Sequence, residues 1–440
     1  TAYLDSLTPG EVARALTRLD EPERHDVLML LDPEEAADLI EELSDAQGSD
    51  LVEELAADEA AAIVDEMESH HRADLLGEMD EEDAEAILRE MDPGEAEDAR
   101  KLLEYGEDTA GGIMSTEFVT YPQTTSVGEV IHDLRKNAER YSDYGVQYAY
   151  VHGEHGTLIG VVRLRDLLLS SAEKTLQELM IQNPIYVLAD TPIEEVGQLF
   201  DRYTFYIVPV TDSEQRMLGI VRRADAEEAL SEGVEKSLMR FGGIIGGEEL
   251  RSMPTRERVT RRMVWLGFNL PLTMLAAAAI LVFEDTIVQF SALLFFIPII
   301  GNMCGCSGNQ AVAVSIRELT LGVIHPGDFM RVLRKELQVG LVNGTLLGSV
   351  IVVVAYGLGH VTGNHVPGLA LFIGLAFMIN TVVAVCLGGV VPLVLRHFKA
   401  DPALGAPPIQ TTLTDMIGLF LMFSMAALAM HFNLLPGVTP

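Results

Sequence analysis

Five apolar stretches, at residues 263–283, 287–314, 337–358, 369–395 and 413–435, fill most of the C-terminal half of this 440-residue chain. Each is long enough to cross a hydrocarbon core of about 30 Å, which takes roughly 20 residues of helix. Inside a bilayer the backbone must satisfy its own hydrogen bonds, so the stretches are predicted to form five transmembrane helices. One carboxylate, Asp415, interrupts them. An ionisable group at that depth is costly unless it meets water, a partner or an ion, so Asp415 marks a functional position and points to movement of a cation.

Cationic residues set the orientation. Arg256, Arg258, Arg261 and Arg262 precede the first stretch, Arg317, Arg331, Arg334 and Lys335 separate the second from the third, and Arg396 and Lys399 separate the fourth from the fifth. All three groups fall on one side, which the positive-inside rule makes cytoplasmic, leaving the C-terminus outside. Residues 1–11 show neither a basic nor an apolar leader segment, so the N-terminal half is expected in the cytoplasm and the chain in the cell membrane.

Charge divides the chain in the same place. Residues 1–108 carry 36 Asp and Glu against 7 Lys and Arg, whereas residues 233–440 carry 11 against 13. So acidic a soluble part argues against a nucleic-acid partner. It fits a carboxylate-rich, salt-adapted surface or a face that gathers divalent cations. Cys304, Cys306 and Cys386 lie within apolar stretches and read as packing residues, with a soft-metal site at Cys304 and Cys306 as the lesser alternative. No paired nucleophile and base and no phosphate-cradling loop is present, so an enzyme is not expected.

Residues 1–104 repeat a unit with a period near 12, as in Leu31-Asp32-Pro33-Glu34-Glu35-Ala36, Met79-Asp80-Glu81-Glu82-Asp83-Ala84 and Met91-Asp92-Pro93-Gly94-Glu95-Ala96. Asp20, Asp32, Asp80 and Asp92 read as N-caps, each followed by Pro or acid in the first turn and then an apolar stripe. A helix this short cannot stand alone, so the units are predicted to stack into an all-α superhelix. Most of its carboxylates are expected on a solvated face.

From Thr109 to Glu232 a mixed strand and helix pattern occurs twice. Phe118-Val119-Thr120, Gln147 to Val151 and Gly160-Val161-Val162 in the first copy answer to Ile185-Tyr186-Val187, Tyr206 to Val210 and Gly219-Ile220-Val221 in the second, with a short insertion in the first copy around 140–145. This order resembles a tandem pair of CBS domains. That resemblance makes ATP a candidate ligand, with Asp166 and Asp225 at the family's ribose-binding aspartates. Arg163 and Arg222 replace the hydroxyl residues that would accompany them, which argues against nucleotide, and both aspartates also fit as helix caps. Residues 234–241 then read as a connecting helix that ends in Gly242-Gly243-Ile244-Ile245-Gly246-Gly247, a C-cap and hinge.

The second stretch holds Gly301-Asn302 and Gly305-Cys306-Ser307-Gly308-Asn309-Gln310, a density of glycine and amide that permits close helix approach or a local break exposing carbonyls. The fifth follows Asp401-Pro402-Ala403 and opens with Thr411-Thr412-Leu413-Thr414-Asp415, whose spacing sets Thr411, Thr412, Asp415 and Gly418 on neighbouring turns. These strings resemble the MgtE family of magnesium channels and its animal solute-carrier relatives. The resemblance covers the whole chain. Gly305, Gly308, Asn309 and Gln310 match the family's Gly-Asn-x-Gly-Asn-Gln core, with Cys306 in place of its first Asn, and Asp415 falls fourteen residues after Asp401 as the family's pore aspartate does.

The resemblance implies a multidomain chain. Its parts are an acidic helical N domain at 1–108, a tandem CBS pair at 109–232, a connecting or plug helix and hinge at 233–255, and a five-helix pore domain at 256–440. It implies a homodimeric Mg2+ channel with Asp415, Thr411, Thr412, Asn302, Gly305, Gly308, Asn309 and Gln310 along the pore. Cytosolic Mg2+ would bridge acids such as Glu107, Asp108, Asp225 and Glu228 and hold the pore shut. Mg2+ keeps several waters and takes one or two carboxylates, which suits a pore with few charges. The alternatives are a CBS-regulated transporter of Co2+, Ca2+ or Mn2+, and a membrane-anchored sensor that transports nothing.

Overall fold

The structure, a computed structural model, describes residues 15–16, 19, 21–138, 141, 144, 146–245, 255–289, 291–362 and 367–431. It divides into two compact units, Thr1–Ser231 and Glu232–Pro440.

The first unit opens with helices that start at intervals of twelve residues: α1 (Glu21–Leu30), α2 (Pro33–Glu41), α3 (Asp45–Glu53), α4 (Ala57–Val64), α5 (Ser69–Glu78), α6 (Glu81–Glu90) and α7 (Pro93–Leu102). Leu28, Ile40, Val52, Val64, Leu76 and Leu88, also twelve apart, place one buried side chain from each successive repeat in a common core. Helices two apart in sequence pack together, as stacking of such units requires.

The carboxylates do more than face water. Asp32 and Asp92 cap α2 and α7 by accepting from the amides of Glu35 and Gly94 at 2.9 and 2.8 Å. Asp80 holds the cap position of α6 without a side-chain bond, and Asp20 lies outside the described residues. The amides of Glu68, Asp80 and Asp92 donate to Glu41, Glu53 and Asp65, each 27 residues earlier, at 2.7, 3.2 and 3.0 Å. An acid at the end of one helix thus satisfies an orphan donor at the start of a later one. Buried Arg72 does the reverse, donating to the carbonyls of Val64, Asp65 and Met67 at the C-terminal end of α4.

Two α/β copies follow. In the first, β1 (Val119–Pro122) lies parallel to β2 (Tyr148–His152) across α8 (Val127–Lys136), and β2 pairs antiparallel with β3 (Leu158–Arg163), which leads into α9 (Leu164–Leu168). After α10 (Leu176–Leu179), β4 (Ile181–Gln182) extends that first sheet along β3. The second copy repeats the plan with β5 (Val187–Leu188), α11 (Ile193–Arg202), β6 (Ile207–Thr211) and β7 (Met217–Arg222). Ser115 exchanges two backbone hydrogen bonds with Ile220, so a segment ahead of the first copy also pairs with the second. Tyr150, Leu158, Ile207 and Ile220 form a core shared by both. The expected insertion at 140–145 falls mostly outside the described residues.

The connecting helix differs from expectation. α12 runs without interruption from Arg223 to Phe241, so the last helix of the second copy and the predicted helix at 234–241 are one element. Gly233 sits inside it. Gly243, at φ +84, ends it in the left-handed cap that glycine adopts freely. The rest of the predicted hinge, 246–254, lies outside the described residues.

The second unit is helical: α13 (Thr255–Val282), α14 (Glu284–Gln289), a 3-10 turn (Ser291–Phe295), α15 (Ile297–Thr320), α16 (Phe329–Thr362), α17 (Pro367–His397) and α18 (Pro402–His431). Among the described residues α13, α16, α17 and α18 are long and apolar enough to cross a membrane. The second predicted span is displaced. Residues 287–289 lie in α14 and 291–295 in the turn, and α15 runs from Ile297 to Thr320, where Arg317 and Glu318 make it more polar than its neighbours. Pro298 in its first turn fixes the start. No break occurs at 305–310. α16 begins eight residues before the predicted third span, which brings Glu336 into a membrane-length helix with its side chain against Gly389.

Close approach is what the glycines provide. A Cβ on Gly388 would overlap the carbonyl oxygen of Gly308, and one on Gly308 would overlap the side-chain amide of Gln410. α15, α17 and α18 therefore meet at a point where no side chain fits. Gly305, one turn away, has nothing within 4 Å of a Cβ. Gly308→Val should cost about 1–3 kcal/mol or more through overpacking, whereas Gly305→Ala should not lower stability. Thermal unfolding in detergent, followed by size exclusion, separates the two; equal melting temperatures would refute the packing role.

Acidity has its own signature. Partial burial raises the pKa of Glu53 and Asp65, and burial likewise raises that of Asp98. Folding thus favours their protonated forms. Their contribution is fully present below the unfolded value of about 4 and is lost as pH rises through the raised folded values. In divalent-free buffer the first unit should melt higher at about pH 5 than at about pH 7.5; a flat or inverted dependence of Tm would contradict this assignment.

Candidate functional site

A groove of about 500 Å³ lies between α13, α15 and α18. Thr273, Ala276, Ala277 and Ile280 of α13 form its apolar wall. Opposite them are Asn302, Gly305, Cys306 and Asn309 of α15, and Thr411 and Asp415 of α18. The spacing on α15 explains this, since positions three and four apart share one helix face.

An N-cap and a pair of prolines shape α18. Asp401 caps its start by accepting from the amide of Ala403 at 2.7 Å. Pro407 and Pro408 then remove two ladder donors one turn before Thr411. Thr412 returns its hydroxyl to the Pro408 carbonyl at 2.7 Å, and Thr414 bonds the Gln410 carbonyl at 2.8 Å. Thr412 is thus a backbone partner and does not line the groove.

The acceptors in the groove are unmatched. Among the described residues, Oδ1 of Asp415 and Oδ1 of Asn309 are buried with no hydrogen-bond donor, and no Lys or Arg lines the groove. A Cβ on Gly301 would sit 3.3 Å from Oδ1 of Asp415, a tight contact that glycine relieves on the α15 side of that carboxylate. Unpaired buried acceptors cost free energy that a cation or its water shell offsets.

Of the predicted pore residues, Asp415, Thr411, Asn302, Gly305 and Asn309 share this groove. Gly308 is buried in the helix contact, and Gln310 is exposed outside the groove. Cys306 faces the groove, with Sγ 3.4 Å from Asn302, while Cys304 is buried toward Thr381, so the two thiols do not converge.

Sequence reasoning missed two amides. Gln410 is fully buried, fills the space above Gly308 and donates to Thr414 at 2.8 Å. Asn380, in the middle of α17, is fully buried with both side-chain polar atoms unpaired, and Gly418 of α18 packs directly on it. An amide inside an apolar stretch was the available signal for Asn380.

In the first unit, Glu107 and Asp108 are exposed in the turn before the α/β copies, where the Asp108 carbonyl accepts from the Ile193 amide at 3.2 Å. Glu228 is exposed on α12. Asp225, in its first turn, is more buried. Desolvation pushes its carboxyl up to about 6, against the pull of Arg222. Arg222 is committed to Glu68 at 2.5 Å. Asp166, in the first turn of α9, lies 3.5 Å from Arg165. Glu107, Asp108, Asp225 and Glu228 do not form a group of three or more metal-spaced ligands among the described residues.

The sequence matches the family model for MgtE, a divalent cation transporter, at residues 297–425, the MgtE intracellular N domain at 7–108, and the CBS domain at 110–173 and 176–232. The magnesium transporter MgtE of Thermus thermophilus is 31% identical over 335 residues, which cover 76% of this chain and 73% of that protein. This chain belongs to the MgtE family. A second member, the magnesium transporter MgtE of Enterococcus faecalis, is 29% identical over 76% of this chain and 72% of its own. The solved cytosolic domain of the Mg2+ channel MgtE in complex with ATP is 31% identical, covering 52% of this chain and 92% of that one with a TM-score of 0.48. The groove lies wholly on helices within the region that matches the transporter model, apart from the α13 wall.

Proposed function

We propose that this MgtE-family chain conducts Mg2+ across the cell membrane through a pathway that includes the α13–α15–α18 groove. The observation that carries this reading is the pair of buried, unpaired acceptors, Asp415 Oδ1 and Asn309 Oδ1, facing one cavity. A carboxylate supplies charge, while amide and hydroxyl groups hydrogen-bond the waters that Mg2+ gives up reluctantly. Membrane anchoring alone would not call for such groups, so the transporter reading is preferred over an anchored sensor or an enzyme. Transport by the MgtE proteins of Thermus thermophilus and Enterococcus faecalis supports Mg2+ over Co2+, Ca2+ or Mn2+ as cargo.

In the proposed arrangement α15 is the fifth span, its 24 residues reaching about 36 Å. The N-terminal half is cytoplasmic and the C-terminus outside, by the charge asymmetry of the connections. Two chains pair so that two copies of Asp415 approach each other, which favours a divalent over a monovalent ion.

Regulation runs through α12. Asp225 and Glu228 lie near its start, and Phe241 at its end packs on Val312 and Ile316 of α15 and on Ala403 and Ala406 of α18. Arg240 adds an ion pair to Asp401 at 3.4 Å. Mg2+ held by Glu107, Asp108, Asp225 and Glu228 stabilises the state that brings those acids together, and α12 carries that bias to both groove helices. ATP is a weaker candidate ligand, since Glu68 already occupies Arg222.

Proteoliposomes with low internal Mg2+ should take up Mg2+ through the wild-type chain. Uptake should fall to the level of empty liposomes in Asp415→Ala, and high internal Mg2+ should suppress it in the wild type. Wild-type rates in Asp415→Ala would sink the pathway assignment.

A further inference from the structure

The N-terminus of α5 is inserted against the α/β copies. Glu117 accepts from the amide and hydroxyl of Ser69 at 3.1 and 2.9 Å, and Glu68 pairs with Arg222. This clamp fixes the next two residues, His70 and His71, whose rings lie 4.1 Å apart. Glu68, His70 and His71 present ligand atoms that all lie within 4.8 Å of one another, and theirs is the one such group among the described residues. His70 is 5% exposed, and its Nδ1 has no hydrogen-bond partner although it points toward Glu68 Oε2 at 3.6 Å. An imidazole nitrogen buried without a partner is a cost that the fold does not explain internally.

We propose that Glu68, His70 and His71 form a site for a divalent transition cation of the Zn2+ class, at the junction of the N domain and the second CBS copy. Two imidazoles and one carboxylate are a borderline donor set that Zn2+, Co2+ or Ni2+ accepts and that Mg2+, which takes oxygen ligands, does not favour. Small rotations of the half-buried Glu68 and His71 side chains bring the set to bonds of about 2.0–2.2 Å, with water completing the shell. Arg222 then acts as an outer partner that orients Glu68. Its charge is outweighed locally, because the Asp225, Glu41 and Glu117 carboxylates also interact with this cluster. Burial keeps the His70 ring in its neutral, ligating form, with His71 and Arg222 acting in the same direction. The site is separate in residues and in donor chemistry from the all-carboxylate Mg2+ sensor proposed above.

The test is calorimetric titration of the purified whole chain with Zn2+ in saturating Mg2+, with Co2+ and its visible d–d absorption as a second probe. Binding should persist in excess Mg2+ and weaken at least about tenfold in His70→Gln and in His71→Ala. His155→Ala, an exposed hairpin histidine, should bind as the wild type does. If His70→Gln does not fold, half-buried His71 decides the matter. Loss of Zn2+ binding to excess Mg2+, unchanged affinity in His71→Ala, or equal weakening in His155→Ala would each overturn the proposal. Because the readout is binding, a failure of Mg2+ transport leaves it untouched.

Discussion

The membrane unit depends on one contact, the near-touching of α15 and α17 at Gly308 and Gly388 with Gln410 of α18 seated over it. No attraction between apolar surfaces drives helices together in a bilayer, so packing and polar contacts between small residues set the geometry. With α15 and α18 held there, Asn309 and Asp415 face the same cavity from different helices. The adjoining Gly301 leaves the carboxylate its space. Position the helices slightly further apart and Asp415 becomes a solvated or lipid-facing acid with no defined partner.

The first unit shows a different use of the same chemistry. Repeat acids at 41, 53 and 65 each satisfy a backbone donor 27 residues later, so a sequence that looks like a solvated surface also stitches its own superhelix. At Glu68 and Ser69, where the first of these stitches lands, the N domain also meets Arg222 and Glu117 of the α/β copies. Charge in this region is structural before it is regulatory. Any cation that binds here acts on groups already holding the fold, which is how a modest ligand can bias a large arrangement.

Much of this was legible in the chain. The twelve-residue period and the caps at Asp32, Asp80 and Asp92 located α2, α6 and α7, and Asp415 and Asn309 stood out because polar side chains inside apolar stretches have few explanations. The errors have physical causes. The apolar run at 287–296 reads as the start of a span, but residues 287–289 end a short helix and 291–295 form a 3-10 turn, because composition does not register where Pro298 starts the next helix. The connecting helix predicted from residue 234 begins instead at Arg223, because a single glycine, Gly233, costs an exposed helix only about 1 kcal/mol, and α12 runs through it. Thr412 shares a sequence neighbourhood with Thr411 but turns its hydroxyl back to the carbonyl of Pro408, one turn earlier on its own helix. His70 and His71 gave no signal at all, since their burial depends on contacts with residues 117 and 222.

The central claim is that a divalent ion enters the groove beside Asp415. Anomalous X-ray scattering from crystals of the whole chain grown with Mn2+ in place of Mg2+ addresses it directly. The account predicts a manganese peak in the groove between Asp415 and Asn309, lost in Asp415→Asn. Strong peaks on the cytosolic acids with none in the groove, or a groove peak indifferent to Asp415→Asn, would contradict it.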